Sequence, residues 1–364
     1  MSRLTVALKD APLLVRGVYE YNIASRSGPL PAREWMFPVT YRCNARCVMC
    51  NIWQSSKADE FSTEQWTRVL DDRLFAGVES VNLTGGEPTL RHDLPQLAQL
   101  LIDKLPALRR LTLTTNALDT KRVTDHCRQL AEMCAARGIS YFVGVSLDGT
   151  GALHDEIRGI PGAFERVEST LTELQLLQEQ GALRVGVNCT LTRANLHDAE
   201  HLWGWCSERG LSPNFIIASF TEDYYDNVNI ESDLGFTSAQ RQTLLDLLDR
   251  LAAQRSLGNL AACFYADAAR MIGKGADRRT PCVFQKDAFI LDARGDLQYC
   301  MYSRKLGNVT EQSAAALFYA PDNLAHRQHV ITDDCKTCTV TCFLELGLAK
   351  DAFQYLGFLL GRRP

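Results

Sequence analysis

Residues 41–53 read Tyr41-Arg42-Cys43-Asn44-Ala45-Arg46-Cys47-Val48-Met49-Cys50-Asn51-Ile52-Trp53. Three cysteines stand at C-x3-C-x2-C spacing directly after an apolar run, Trp35–Thr40, that reads as a strand. Three thiolates on so short a loop suit three irons of a [4Fe–4S] cube and leave the fourth iron open to a small molecule. Ferredoxin-type sites supply four cysteines per cluster, and zinc sites favour paired ligands. After Cys50 the next Cys or His is His92. Spacing alone also leaves open a zinc knuckle, or free thiols packed as small hydrophobes.

Working outward from the loop, strand patterns alternate with helix patterns. Strands are expected at Trp35–Tyr41, Ser80–Leu83, Arg110–Thr115, Tyr141–Leu147, Arg184–Leu191 and Asn214–Ser219, with helices at Thr63–Phe75, Leu94–Leu105, Lys121–Arg137, Phe164–Gln180 and Leu196–Arg209. Ser62 with Gln65 three residues on is a helix-start signal. Six such βα units imply an α/β fold of parallel strands buried under helices, and a parallel barrel carries its site at the C-terminal strand ends. The cysteine loop follows strand one, and Gly85-Gly86-Glu87-Pro88 follows strand two, so both fall on one face. Two glycines let backbone approach a ligand. A doubly wound open sheet fits the same pattern. Asn116, Ser146 and Asn188 stand at the ends of strands three, four and five, where polar groups face the barrel mouth.

The cysteine spacing resembles the signature of the radical S-adenosylmethionine (SAM) superfamily, and Thr84–Leu90 resembles its GGEP motif. Residues 143–168 resemble the same stretch in members with SPASM or twitch extensions. The resemblance implies a partial (β/α)6 barrel whose open iron takes the amino and carboxylate groups of SAM. It implies that Gly85, Gly86, Glu87 and Pro88 hold the methionyl ammonium and that Ser146 and Asn188 contact SAM. Arg158 is a candidate for the SAM carboxylate, with a helix-entry salt bridge as its plainer reading. Met49 stands where the family often has an aromatic, beside the adenine; a thioether can pack on such a ring.

A second cysteine group comprises Cys282, Cys300, Cys335, Cys338 and Cys342. Ala288–Leu291 and Asp296–Tyr299 read as a hairpin. The C-x12-G-x4-C piece resembles the start of SPASM domains, followed by Leu306–Val309 and a helix-like segment near Ser313–Tyr319. Five cysteines are too few for two four-ligand clusters. One auxiliary [4Fe–4S] cluster is expected, as in the shorter twitch domain of the alcohol-oxidising enzyme of butirosin biosynthesis, with Cys282, Cys300, Cys335 and Cys338 as ligands. Cys342 could replace one of them, be spare, or donate a hydrogen atom. A structural zinc site is the alternative.

The expected domains are a leader at 1–34, a barrel at 35–255, an auxiliary Fe–S domain at 256–345 and a C-terminal helix at 346–364. The 364 residues are 46% hydrophobic and 23% charged with net charge −4. No basic run points to general nucleic-acid binding, no 18-residue apolar stretch to a transmembrane segment, and Met1–Lys9 lacks a secretory layout. Thirteen cysteines without a secretion signal argue for reduced thiols and a cytoplasmic location. Cys127, Cys134, Cys189, Cys206 and Cys263 read as core.

By the resemblance, an electron from a flavodoxin- or ferredoxin-like donor cleaves SAM, and the resulting radical takes a hydrogen atom from the substrate. Asp223, Tyr224 and Asp226, after strand six, are candidates for a base or binding group. The expected substrate is a small metabolite, alcohol or sugar-like, that is oxidised or epimerised. A ribosomally made peptide, crosslinked or epimerised, is the alternative, and a non-catalytic Fe–S or zinc protein is the alternative of another class.

Overall fold

The computed structural model describes residues 15–55, 59–254, 259–341, 343–350 and 352–361. Contacts divide the chain into two units. One comprises Ala32–Thr237 and Ala288–Arg327; the other comprises Met1–Pro31, Ser238–Asp287 and Gln328–Pro364.

The first unit holds one sheet. Its strands are β1 (Glu34–Thr40), β2 (Ser80–Gly85), β3 (Arg110–Thr115), β4 (Ser140–Ser146), β5 (Arg184–Leu191), β6 (Pro213–Ile217), β7 (Ala288–Leu291), β8 (Asp296–Gln298) and β9 (Gly307–Asn308). Their order is β6-β5-β4-β3-β2-β1-β7-β8-β9. From β1 to β6 each strand pairs in parallel with the next, which is the six-stranded partial barrel. The connecting helices are α1 (Thr63–Val69), α2 (Leu94–Lys104), α3 (Thr120–Ala136), α4 (Ala152–Arg158), α5 (Ala163–Glu179) and α6 (Ala199–Glu208). Helix α1 begins with a capping box between Ser62 and Gln65, satisfying two orphan donors at once.

Paired residues of parallel strands share a face, and faces alternate along each strand. Val81, Leu83, Leu111, Leu113, Val143 and Val145 are fully buried. At about 1.5–3 kcal/mol for each such side chain, this face supplies much of the drive to fold. The opposite face carries Asn82, Thr112, Thr114, Ser146, Asn188 and Asn214, all half-buried. Thr114 Oγ1 donates to Asn82 Oδ1 at 3.3 Å, and Asn214 Nδ2 to Asn188 Oδ1 at 3.2 Å. One side of the sheet is thus a hydrocarbon core and the other a polar wall.

The hairpin of β7 and β8 extends the barrel sheet, because β7 pairs in parallel with the outer edge of β1, while β8 and β9 continue it antiparallel. The cause is aromatic packing. Trp35 stacks on Phe37 at 4.2 Å and on Phe289 at 5.8 Å, and its indole N–H donates to the Leu291 carbonyl at 3.1 Å.

The regular elements described in the second unit are helices. They include residues 15–22, α7 (Arg241–Ala253) and α8 (Leu260–Lys274), and the segments Leu344–Lys350 and Ala352–Leu359. Asp267 of α8 is fully buried. Its carboxylate accepts from the backbone N–H of Arg279 at 2.8 Å and of Thr280 at 2.6 Å, and pairs with Arg270 at 2.6 Å. This fixes the chain that leads to Cys282.

Candidate cluster and cofactor site

The cysteine loop leaves β1 and meets the loop after β2 backbone to backbone. Gly86 N–H donates to the Thr40 carbonyl at 2.8 Å, and Glu87 N–H to the Arg42 carbonyl at 2.7 Å. A Cβ on Gly86 would stand 2.2 Å from the Arg42 oxygen, and one on Gly85 2.3 Å from that of Thr40. No side chain fits there, and Gly85 also has φ +130. Pro88 is buried in the short 3-10 turn that follows.

Glu87 is only 1% exposed. One carboxylate oxygen accepts from Thr89 N–H at 3.1 Å, Thr89 Oγ1 at 2.7 Å and Thr115 Oγ1 at 2.9 Å; the other accepts from Asn116 N–H at 2.7 Å. Burial pushes its carboxyl above the usual range. The side chain thus braces the loops after β2 and β3 against each other.

Two further anchors hold the cysteine loop. Arg46 N–H donates to the Arg158 carbonyl at 2.8 Å and Val48 N–H to that of Ile157 at 2.9 Å, tying the loop to the end of α4. After β6, the buried Asn227 donates from Nδ2 to the Met49 carbonyl at 2.8 Å and accepts from Thr221 N–H at 2.8 Å. Asn51 N–H donates to the Tyr225 carbonyl at 3.1 Å, and Asn51 Nδ2 to that of Asp226 at 2.5 Å.

Cys43, Cys47 and Cys50 are half-buried free thiols. Burial pushes Cys43 up to about 11 and Cys50 up to about 12 and raises Cys47 as well; Cys47 adds to the rise at Cys43, and Cys47 and Cys43 to that at Cys50. Asn116 Nδ2 lies 3.8 Å from the Cys43 sulphur and Arg158 Nη1 3.5 Å from that of Cys47. Three thiols within mutual electrostatic reach, reluctant to ionise alone and faced by donors, fit a cationic iron cluster, whose binding removes their protons.

The remaining rim residues can be placed. Ser146 pairs with Asn188 across β4 and β5. The Asn188 amide lies across Gly144, 2.6 Å from where a Cβ would stand. Asn116 also donates to Asn44 Oδ1 at 2.8 Å. Met49 is buried. Arg158 is buried, and its guanidinium reaches Cys47 and Asp148. Asp223 and Asp226 are exposed, whereas Tyr224 is buried with its ring edge-on to Tyr225 at 4.8 Å. Sequence reasoning missed Asp148 and Asn227 as supports. The Ser-Leu-Asp-Gly end of strand four offered a signal for the first; nothing local marked the second.

In the helical unit, Cys282, Cys335 and Cys338 are half-buried. Burial raises Cys335 and pushes Cys338 up to about 11; both feel Cys282. Arg278 organises this group. Its N–H donates to the Lys336 carbonyl at 2.7 Å, and its Nη1 to the carbonyls of Cys338 at 3.2 Å and Val340 at 2.9 Å, 3.8 Å from the Cys338 sulphur. Cys300 belongs to the sheet unit, just after β8. Cys342 lies outside the described residues.

Among the described residues no helix is long and apolar enough to cross a membrane. Residues 37–191 match the model of the Radical SAM superfamily. The chain is 36% identical over 164 residues to Fe-coproporphyrin III synthase of Methanosarcina barkeri, covering 44% of this chain and 37% of that protein. It is 31% identical over 238 residues to pre-heme d1 synthase of Dinoroseobacter shibae, covering 64% and 54%. The chain thus spans about half, or less, of the length of these curated relatives. Among solved structures, anSMEcpe with bound AdoMet and Cp18Cys peptide has a TM-score of 0.62 at 16% identity, covering 91% of this chain and 100% of that one, a likeness of fold. The cysteine loop, the Gly-Gly-Glu loop laid against it and the six parallel strands beneath them agree with these matches, and residues 37–191 form a radical SAM domain.

Proposed function

We propose that this chain is a SAM-cleaving enzyme that removes a hydrogen atom from an unactivated carbon of a small polar metabolite, alcohol or sugar-like, to oxidise or epimerise it. The observation that carries the reading is the backbone seating of the three-cysteine loop, through the Thr40 and Arg42 carbonyls, on Gly86 and Glu87 at the strand ends. When bound, a [4Fe–4S] cluster supplies the electron, drawn from a flavodoxin- or ferredoxin-like donor, that splits SAM into methionine and a 5′-deoxyadenosyl radical.

The chain's own residues do the rest. Cys43, Cys47 and Cys50 hold three irons. The backbone of Gly85 to Glu87 offers carbonyl groups to the methionyl ammonium, since the Glu87 carboxylate is engaged by Thr89, Thr115 and Asn116. Arg158 Nε, buried with no acceptor among the described residues, has a proton free for the SAM carboxylate. Ser146, Asn188 and Asn116 meet the ribose side, and Met49 the adenine. Cys282, Cys335 and Cys338 supply thiolates for an auxiliary [4Fe–4S] cluster that can take up the second electron of an oxidation. Asp223, Tyr224 and Asp226 stand near the mouth as substrate contacts.

The polar wall of the sheet supports a polar substrate. Two curated relatives are named for tetrapyrrole products, which supports a small molecule and adds carboxylate-bearing tetrapyrroles to the substrates worth testing. A peptide substrate is the second reading, favoured by the likeness to a structure with a bound peptide.

The test compares reduced, anaerobically reconstituted protein with its Cys43/Cys47/Cys50→Ala variant. The expected iron content falls from about eight to about four per chain, and 5′-deoxyadenosine formation falls at least about 100-fold. Wild-type protein that makes no 5′-deoxyadenosine with any donor, or that binds zinc instead, would make it a non-catalytic metal protein. Transfer of deuterium into 5′-deoxyadenosine from labelled alcohols, sugars or tetrapyrroles, as against peptides, separates the substrate readings.

A further inference from the structure

Arg158 lies between the cysteine loop and a fully buried acid. Its Nη1 is 3.5 Å from the Cys47 sulphur, and its Nη2 is 2.6 Å from Asp148 Oδ2. Arg158 is 7% exposed and Asp148 1%. Neither side chain is free to swing. Asp148 Oδ1 accepts from Thr190 N–H at 2.8 Å, its carbonyl accepts from Asn195 Nδ2 at 2.8 Å, and its N–H donates to His154 Nδ1 at 3.1 Å. Arg158 is fixed from its other end, because its carbonyl holds Arg46 of the cysteine loop. A surface ion pair would be screened and mobile; this one is neither.

We propose that the Asp148–Arg158 pair sets the reduction potential of the cluster held by Cys43, Cys47 and Cys50, with Asp148 setting how much of the arginine's charge the Cys47 sulphur feels. The inference rests on the assignment of Cys47 as a cluster ligand. Hydrogen bonds to the sulphurs and net charge nearby are the levers by which a protein tunes an Fe–S cluster. Reduction adds an electron, so a cation hydrogen-bonded to a ligand sulphur favours the reduced form. An anion 2.6 Å from that cation opposes it. Arg158 is therefore a positioning and tuning residue of the cluster, whatever else it contacts.

The pair makes a prediction of opposite signs. The experiment is a redox titration of full-length, reconstituted, SAM-free protein, following the paramagnetic signal that disappears in the Cys43/Cys47/Cys50→Ala variant. Arg158→Gln is expected to move the midpoint to a more negative potential. Asp148→Asn, which keeps shape and loses charge, is expected to move it to a less negative one. Arg158→Lys keeps the charge without the fork, and is expected to shift in the direction of Arg158→Gln by a smaller amount. It also carries the comparison if Arg158→Gln loads less than half the iron.

An unchanged midpoint in the Arg158 and Asp148 variants, with weaker SAM binding in Arg158→Gln, would make Arg158 a SAM contact only and overturn the proposal. Shifts of one sign in Arg158→Gln and Asp148→Asn would also overturn it, because packing damage does not distinguish a cation from an anion. Protein in which no signal depends on the three cysteines overturns the function reading and this inference together, and its iron content tells that case from the other two.

Discussion

The two cysteine groups are held in different ways. The Cys43–Cys50 loop is anchored on three sides by the sheet unit: to the loop after β2 through Thr40 and Arg42, to α4 through Arg46 and Val48, and to the turn after β6 through Met49 and Asn51. In the group of Cys282, Cys335 and Cys338, one side chain, Arg278, reaches the carbonyls of Cys338 and Val340. The first site is framed from three loops of one sheet; in the second, Arg278 holds the turn at 336–340, Tyr21 OH reaches the Cys282 carbonyl at 3.3 Å, and Asp267 holds the chain before it. Anchoring from three sides suits a site whose geometry must hold before any ligand arrives. A site held mainly through side chains draws more of its order from the metal it binds.

That contrast is open to test, and the largest effect is expected at the second group. Arg278→Met keeps the stem and removes the guanidinium's hydrogen bonds to the carbonyls of Cys338 and Val340. It is expected to drop the iron content from about eight to about four per chain, while 5′-deoxyadenosine formation without substrate continues within about threefold. Equal loss of both clusters would show the two sites to be one cooperative unit. At the first group, Asn227→Ala leaves the carbonyls of Met49 and Ser219 and the N–H of Thr221 without their partner. The expected cost is about 3 kcal/mol of stability, read in denaturant unfolding, with iron at the first cluster reduced less than twofold. Loss of most of that iron would mean that one anchor, not three, governs the loop.

The smallest effect concerns pH. Burial, helped by the charge of Arg158, lowers His154 from its ordinary value of 6.5 to about 3. The folded state keeps this imidazole neutral, and the unfolded chain protonates it near 6.5. Its contribution is therefore complete above pH 6.5 and is lost as pH falls toward about 3. His154→Asn still offers an acceptor to Asp148 N–H. Between pH 7 and 5 the variant is expected to lose about 1–2 kcal/mol less than wild type, measured by unfolding of the iron-free protein. Parallel curves would show that His154 does not stay neutral.

Much of the sheet unit was legible because its signals are local. Arg110–Thr115 and Arg184–Leu191 form strands over the residues their apolar patterns mark, and the capping signal at Ser62 starts a helix where expected. Helix α4 was not legible, because its seven residues, with His154, Asp155 and Glu156 at their centre, hold one apolar pair at helical spacing, Leu153 and Ile157, too little to mark a period. The union of β7 with β1 was hidden for another reason. Alternation reveals a hairpin but not the edge it joins; here stacking of Trp35 on Phe289 decides it. The cysteines and glycines of the site announce themselves by spacing. Asn227 and Arg278 do not, since each acts on backbone far away in sequence, and Asn and Arg are common in any loop.

The partnership of β1 with β7 also bears on how the chain is made. Until residue 288 has left the ribosome, the outer edge of β1 has no strand beside it. At about 5–20 residues per second that interval lasts roughly 10–50 s. For that time a nascent sheet displays an open edge flanked by Trp35 and Phe37, the kind of surface that recruits chaperones or neighbouring chains. A fragment that stops before residue 288 would keep this edge permanently, so shortened forms of the barrel are expected to aggregate even though they contain all six of its strands.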